Sequence, residues 1–95
     1  MKSIHLKIYG RVQGVFFRQS TVEKAHQLRL TGTVRNCSDG TVEIEAEGKD
    51  EMLSVFVDWC RQGPSRANVR QVDIHERPLK NFAGFRISKD TNDQF

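Results

Sequence analysis

Residues 32–48 read GTVRNCSDGTVEIEAEG, and the fold follows from how that stretch is read. Val42, Ile44 and Ala46 alternate with Glu43, Glu45 and Glu47, the period-two pattern of a strand over 41–47 with one face buried and the other turned outward. Residues 32–37 supply a partner strand, and Ser38, Asp39 and Gly40 the turn between the two. Asp39 and Gly40 both tolerate positive φ, glycine at no steric cost, so a hairpin is expected. On its first strand Asn36 shares parity with Val34 and should face the buried side, while Cys37 should face away from it.

Both flanks of the hairpin are helical. Upstream, residues 18–28 are good helix formers, with Val22, Ala25 and Leu28 on one side. Downstream, Leu53, Phe56, Val57 and Cys60 make the apolar stripe of a second helix that starts near Asp50 and stops at Gly63 and Pro64. Beyond the helices lie further strands. Ile4, Leu6 and Ile8 alternate with His5, Lys7 and Tyr9, Val72 and Ile74 mark residues 69–76, and Phe85 with Ile87 mark a short last strand. The final residues, KDTNDQF at 89–95, read as a frayed end. This order places two helices on one face of an antiparallel sheet of four to five strands, an α+β sandwich of split βαβ layout. A chain of 95 residues has room for one such domain, spanning 1–95.

Composition narrows the function classes. With 37% apolar and 28% charged residues the chain reads as a globular protein, and no run reaches the roughly 18 apolar residues of a membrane span. MKSIHLKIYG at the N-terminus lacks the apolar core of a signal peptide, so the expected location is cytoplasmic, with no membrane partner. Cys37 and Cys60 have neither CxxC spacing nor paired histidines, which argues against a metal or redox site and for free thiols in a reducing compartment. Fifteen Lys and Arg against twelve Asp and Glu leave a charge of +3, a bias toward anionic ligands that does not demand nucleic acid.

Residues 10–18, GRVQGVFFR, join the first strand to the first helix. Gly10 and Gly14 free the backbone so that successive N–H groups can turn inward, at a helix N-terminus that already carries partial positive charge. Arg18 adds a planar guanidinium at the same spot, able to grip a phosphate through two parallel bonds as lysine cannot. Parity carries Asn36 toward Arg18, and its neutral amide suits holding a water in line with phosphorus. Arg11, Arg35 and Arg61 read as solvated charges. His5, His26 and His75 form no cluster by spacing, and Trp59 reads as packing at the edge of the second helix.

GRVQGVFFR, followed by GTVRNCSDGTVEIEAEG and by GPSRANV at 63–69, resembles the acylphosphatase family over roughly residues 3–88. The resemblance implies a ferredoxin-like fold and a metal-free, cofactor-free hydrolase of the carboxyl–phosphate bond (EC 3.6.1.7), acting on a small acyl phosphate; a monomer is the expected state. Inorganic phosphate would be product and inhibitor. It further implies that Arg18 is the catalytic, phosphate-binding arginine, that Asn36 orients the nucleophilic water, and that Gln13, Gly14, Val15, Phe16 and Phe17 donate backbone N–H bonds to phosphate. Two positions depart from the family's habit: Arg29 stands where glycine is frequent and Thr33 where tryptophan is. The chemistry is consistent with so few groups, because a carboxylate leaving group with a conjugate acid of pKa about 4 needs no general acid.

Two other readings compete. The same strand order carries RNA-binding modules, but these stack bases on sheet-face aromatics, whereas Glu43, Glu45 and Glu47 would repel a phosphate backbone. A phosphate-sensing or carbamoyl-phosphate-handling unit, of the kind found at the front of larger maturation proteins, is expected to rank behind the free enzyme, because the sequence stops after one domain.

Overall fold

The computed structural model describes residues 1–89; the end expected to fray falls, except for Lys89, outside them. The elements are β1 (Lys2–Arg11), α1 (Phe17–Gln27), β2 (Thr31–Asn36), β3 (Val42–Gly48), α2 (Asp50–Gln62), β4 (Asn68–Arg77) and β5 (Phe85–Ile87). They build one sheet in the order β4-β1-β3-β2-β5 with both helices against one face. The strand order and helix placement are those of the ferredoxin-like α+β fold.

The sheet is mixed, which corrects the antiparallel expectation. β1 pairs antiparallel with β3 and β4, and β2 with β3, but β5 runs parallel to β2. After β4, at one edge of the sheet, the chain crosses to the opposite edge and returns, so its last strand arrives beside β2 pointing the same way. Gly10 marks a second irregularity. The β1–β4 register slips between Tyr9 and Gly10, and a Cβ at Gly10 would lie 2.2 Å from the carbonyl oxygen of Asn68. Glycine there allows β1 to continue past the bulge and aim the following loop.

Leu6, Ile8, Val34, Val42, Ile44 and Ala46 point from the sheet onto the helices and are fully buried, as alternation requires. α2 presents Leu53, Phe56 and Cys60 to them, and each large side chain so buried stabilises the fold by roughly 1.5–3 kcal/mol. α1 is turned relative to the expected stripe: Phe17, Thr21 and Ala25 are buried, while Val22 and Leu28 are only partly covered. Thr21 can occupy the core because its hydroxyl donates to the Phe17 carbonyl at 2.8 Å.

The hairpin turn also differs in detail. Gly40 takes positive φ, at 90°, but Asp39 does not. Asp39 instead accepts from the Thr41 N–H (3.0 Å) and hydroxyl (2.6 Å), and Lys7 approaches it from β1 at 3.0 Å. The Thr41 bonds, then Lys7, hold its carboxyl down at about 2.

The three outward glutamates are not bare charges. Burial raises the proton affinity of Glu43, but bonds from His5 and Arg35 outweigh it and leave the carboxyl below its usual range. Glu45 pairs with Lys80 at 3.0 Å. Glu47 is 2% exposed, and its carboxylate accepts from the backbone N–H groups of Lys80 (2.6 Å), Asn81 (2.9 Å) and Phe82 (3.4 Å). The crossing segment before β5 thus lies over Glu47. The repulsion expected from three free carboxylates is largely spent inside the protein.

Candidate active site

Phe17 anchors the N-terminal end of α1. Its buried ring tilts against Trp59 of α2 with centroids 5.7 Å apart, and Trp59 in turn stacks on Phe56. One residue earlier Phe16 caps the helix at φ 64°, and Gly14 stands at φ 72°. Two positive-φ residues in so short a loop curl the backbone and aim its amides to one side. Among the described residues, the N–H groups of Gln13, Gly14, Val15 and Phe16 donate to no backbone carbonyl. The first N–H groups of α1 add the usual orphan donors of a helix start.

Gln13 ties this loop to the hairpin. Its side-chain amide donates to the Cys37 carbonyl at 2.8 Å and to the Thr41 carbonyl at 2.9 Å. Those two residues bracket the turn, so one amide fixes the distance between the loop and the end of β2, where Asn36 stands. The result is a half-open hollow of about 370 Å³ lined by Val12, Gly14, Phe16, Phe17, Arg18, Gln19, Asn36 and Ile87.

Arg18, Asn36, Gly14, Phe16 and Phe17 therefore meet in one hollow, although 18 and 36 belong to different elements. Gln13 and Val15 do not line it: Gln13 reaches the hairpin, and the Val15 side chain is in the core at 4% exposure. Only their backbones remain available to the cradle. Sequence reasoning missed Ile87, which β5 brings in by pairing with Val34, two residues before Asn36. The parallel pairing of a three-residue strand leaves no local pattern by which it could have been found.

The other singled-out residues stay away from the hollow. Cys37 and Cys60 are free thiols; Cys37 lies near Glu43, and burial pushes the Cys60 thiol well up. His5 is held by Glu43 with Nε2 2.8 Å from Oε2, and it sits across the β1–β4 ladder from His75. Arg35, read as a solvated charge, donates through Nε to Glu43 at 2.8 Å. Among the described residues, no three His, Cys, Asp or Glu stand together as a metal-holding group, and no helix is long and apolar enough to cross a membrane. Neither Arg29 nor Thr33 lines the hollow, and Arg29 adopts φ 57°, a left-handed conformation that costs a side-chain-bearing residue about 1–2 kcal/mol.

A chemistry follows from the arrangement. An oxyanion seated on the loop would meet convergent amides, a helix N-terminus and a guanidinium, with a neutral amide at the opposite wall. The comparisons with known proteins point the same way. The acylphosphatase family model matches residues 4–87. The acylphosphatase of Methylococcus capsulatus is 44% identical over 91 residues, covering 95% of this chain and 99% of the relative. That of Marinobacter nauticus is 49% identical over 85 residues, 88% of this chain and 92% of the relative. The crystal structure of the Bacillus subtilis acylphosphatase superposes with a TM-score of 0.91 at 36% identity, covering 94% of this chain and 100% of the other.

Proposed function

The chain belongs to the acylphosphatase family and is a hydrolase of acyl phosphates, and from that premise we propose how its own residues do the work. The phosphoryl group sits on the loop from Gln13 to Phe17, accepting backbone N–H bonds, while Arg18 grips two of its oxygens in parallel. Asn36 holds a water on the side opposite the carboxyl oxygen. The water oxygen bonds to phosphorus as the bond from phosphorus to the carboxyl oxygen breaks. Its electron pair leaves with the carboxylate, and the water proton ends on the released phosphate. No group need protonate a carboxylate, and charge neutralisation with positioning carries the rate.

The observation that carries this reading is a single hollow holding Arg18 and Asn36 beside the curled loop. The same proposal takes the 95-residue chain as one working domain, a cytoplasmic monomer that needs no metal and is inhibited competitively by inorganic phosphate. The test is hydrolysis of benzoyl phosphate in EDTA by the native chain, Arg18→Ala and Asn36→Ala, each checked for folding by circular dichroism. Native turnover should persist in chelator. Arg18→Ala should lose about 3 kcal/mol of transition-state stabilisation, on the order of a hundredfold or more in rate. Near-native turnover by folded Arg18→Ala would overturn the assignment.

A further inference from the structure

The phosphoryl group is only half of an acyl phosphate, and the hollow has a second side. Val12 and Phe17 are buried within the core, but Phe16 is 65% exposed and Ile87 46% exposed at the rim. Phe16 carries an aromatic ring into water from a left-handed backbone that a bulky residue avoids, so both its conformation and its exposure run against local preference. Ile87 is placed by backbone pairing: its strand pairs with β2 at Val34, and the Ser88 N–H closes onto the Val34 carbonyl at 2.9 Å.

These two side chains come from opposite ends of the chain and are each fixed by an element that also builds the anion cradle. Phe16 caps the helix that carries Arg18, and Ile87 is braced by the strand that carries Asn36. We infer that Phe16 and Ile87 form an apolar lip that holds the organic half of the substrate and selects acyl phosphates with aromatic or branched apolar acyl groups. The inference rests on the phosphate placement proposed above. With the phosphoryl group on the loop, the acyl group must leave the hollow across its rim, where burial of apolar surface is the available gain. That contact is remote from phosphorus and nearly the same in ground and transition states, so it acts on KM rather than kcat.

The experiment compares benzoyl phosphate with acetyl phosphate in the native chain, Ile87→Ser and Phe16→Asn. Asparagine tolerates the left-handed backbone and keeps the N–H, so Phe16→Asn removes the ring with the least disturbance of the loop. The native chain should favour benzoyl phosphate in kcat/KM. In each variant that preference should fall about tenfold, the low end for apolar contacts in a specificity pocket, through a higher KM for benzoyl phosphate. A preference unchanged in both variants, or a loss in Ile87→Ser shared equally by the two substrates, overturns the inference. Failure of the phosphate placement itself is read separately, from activity retained by Arg18→Ala on acetyl phosphate.

Discussion

Two loops of this molecule gather backbone amides, and they differ in what they face. The loop over 80–82 curls through Asn81 at φ 58° and closes its N–H groups on the carboxylate of Glu47, a buried group supplied by the protein. The loop over 13–16 curls through Gly14 at φ 72° and Phe16 at φ 64°, and it opens onto a hollow where Arg18 stands. Under the phosphate placement proposed above, the same backbone device serves as a fastener in one place and as a binding site in the other. What separates them is the source of the negative charge. An internal carboxylate commits the amides to stability, whereas a loop left facing solvent beside an arginine keeps them for a ligand.

The sharpest way to break the contrast is Arg18→Lys. If the open loop works through a bidentate grip, a point charge cannot replace it, and kcat/KM should fall on the order of a hundredfold while the unfolding midpoint in urea stays near native. Retention of more than a tenth of native activity would reduce Arg18 to a source of charge. Next comes the closed loop: Glu47→Ala empties a buried site and leaves three part-buried amides without their acceptor, and it should destabilise the protein by about 2 kcal/mol. Urea unfolding measures that loss, and a shift below about 0.5 kcal/mol would mean the amides find water at no cost.

Gln13→Ala tests the tie between the loop and the hairpin. Its rate loss should be intermediate, about tenfold, because the cradle survives but its distance from Asn36 is no longer fixed. A variant with native kcat would show that the hairpin holds its place without the tie. The smallest effect belongs to Asp39, whose carboxyl is held at about 2 by Thr41 and Lys7. Its folded value lies below the unfolded one of about 3.9, so its stabilisation is complete above that pH and is lost as pH falls through about 2. A carboxyl titration followed by NMR should place the midpoint near 2, and a midpoint in the ordinary aspartate range would remove Asp39 from the set of held carboxylates.

Local patterns carried much of the architecture. Alternation in Val42, Ile44 and Ala46, the stripe of Leu53, Phe56 and Cys60, and the glycine-bearing loop at 10–18 all report on neighbours in the chain, and each element formed within a residue or two of its expected span. Parity likewise sent Asn36 to the helix-covered side, because side-chain direction in a strand is set by position alone. Thr21 escaped this reading. A threonine looks polar in sequence, and only its bond to the Phe17 carbonyl shows how it is accommodated in the core.

What the amino-acid order could dictate was therefore local: periodicity, turn chemistry, and a loop able to curl ahead of a helix. Tertiary structure decided the rest. It laid β5 parallel to β2 and brought Ile87 beside Asn36. It spent Gln13 on the hairpin carbonyls and closed the amides of 80–82 on a glutamate that alternation had turned toward solvent. These contacts join residues tens of positions apart, and their strength depends on which donors the finished fold leaves unsatisfied, a quantity no short window of sequence contains.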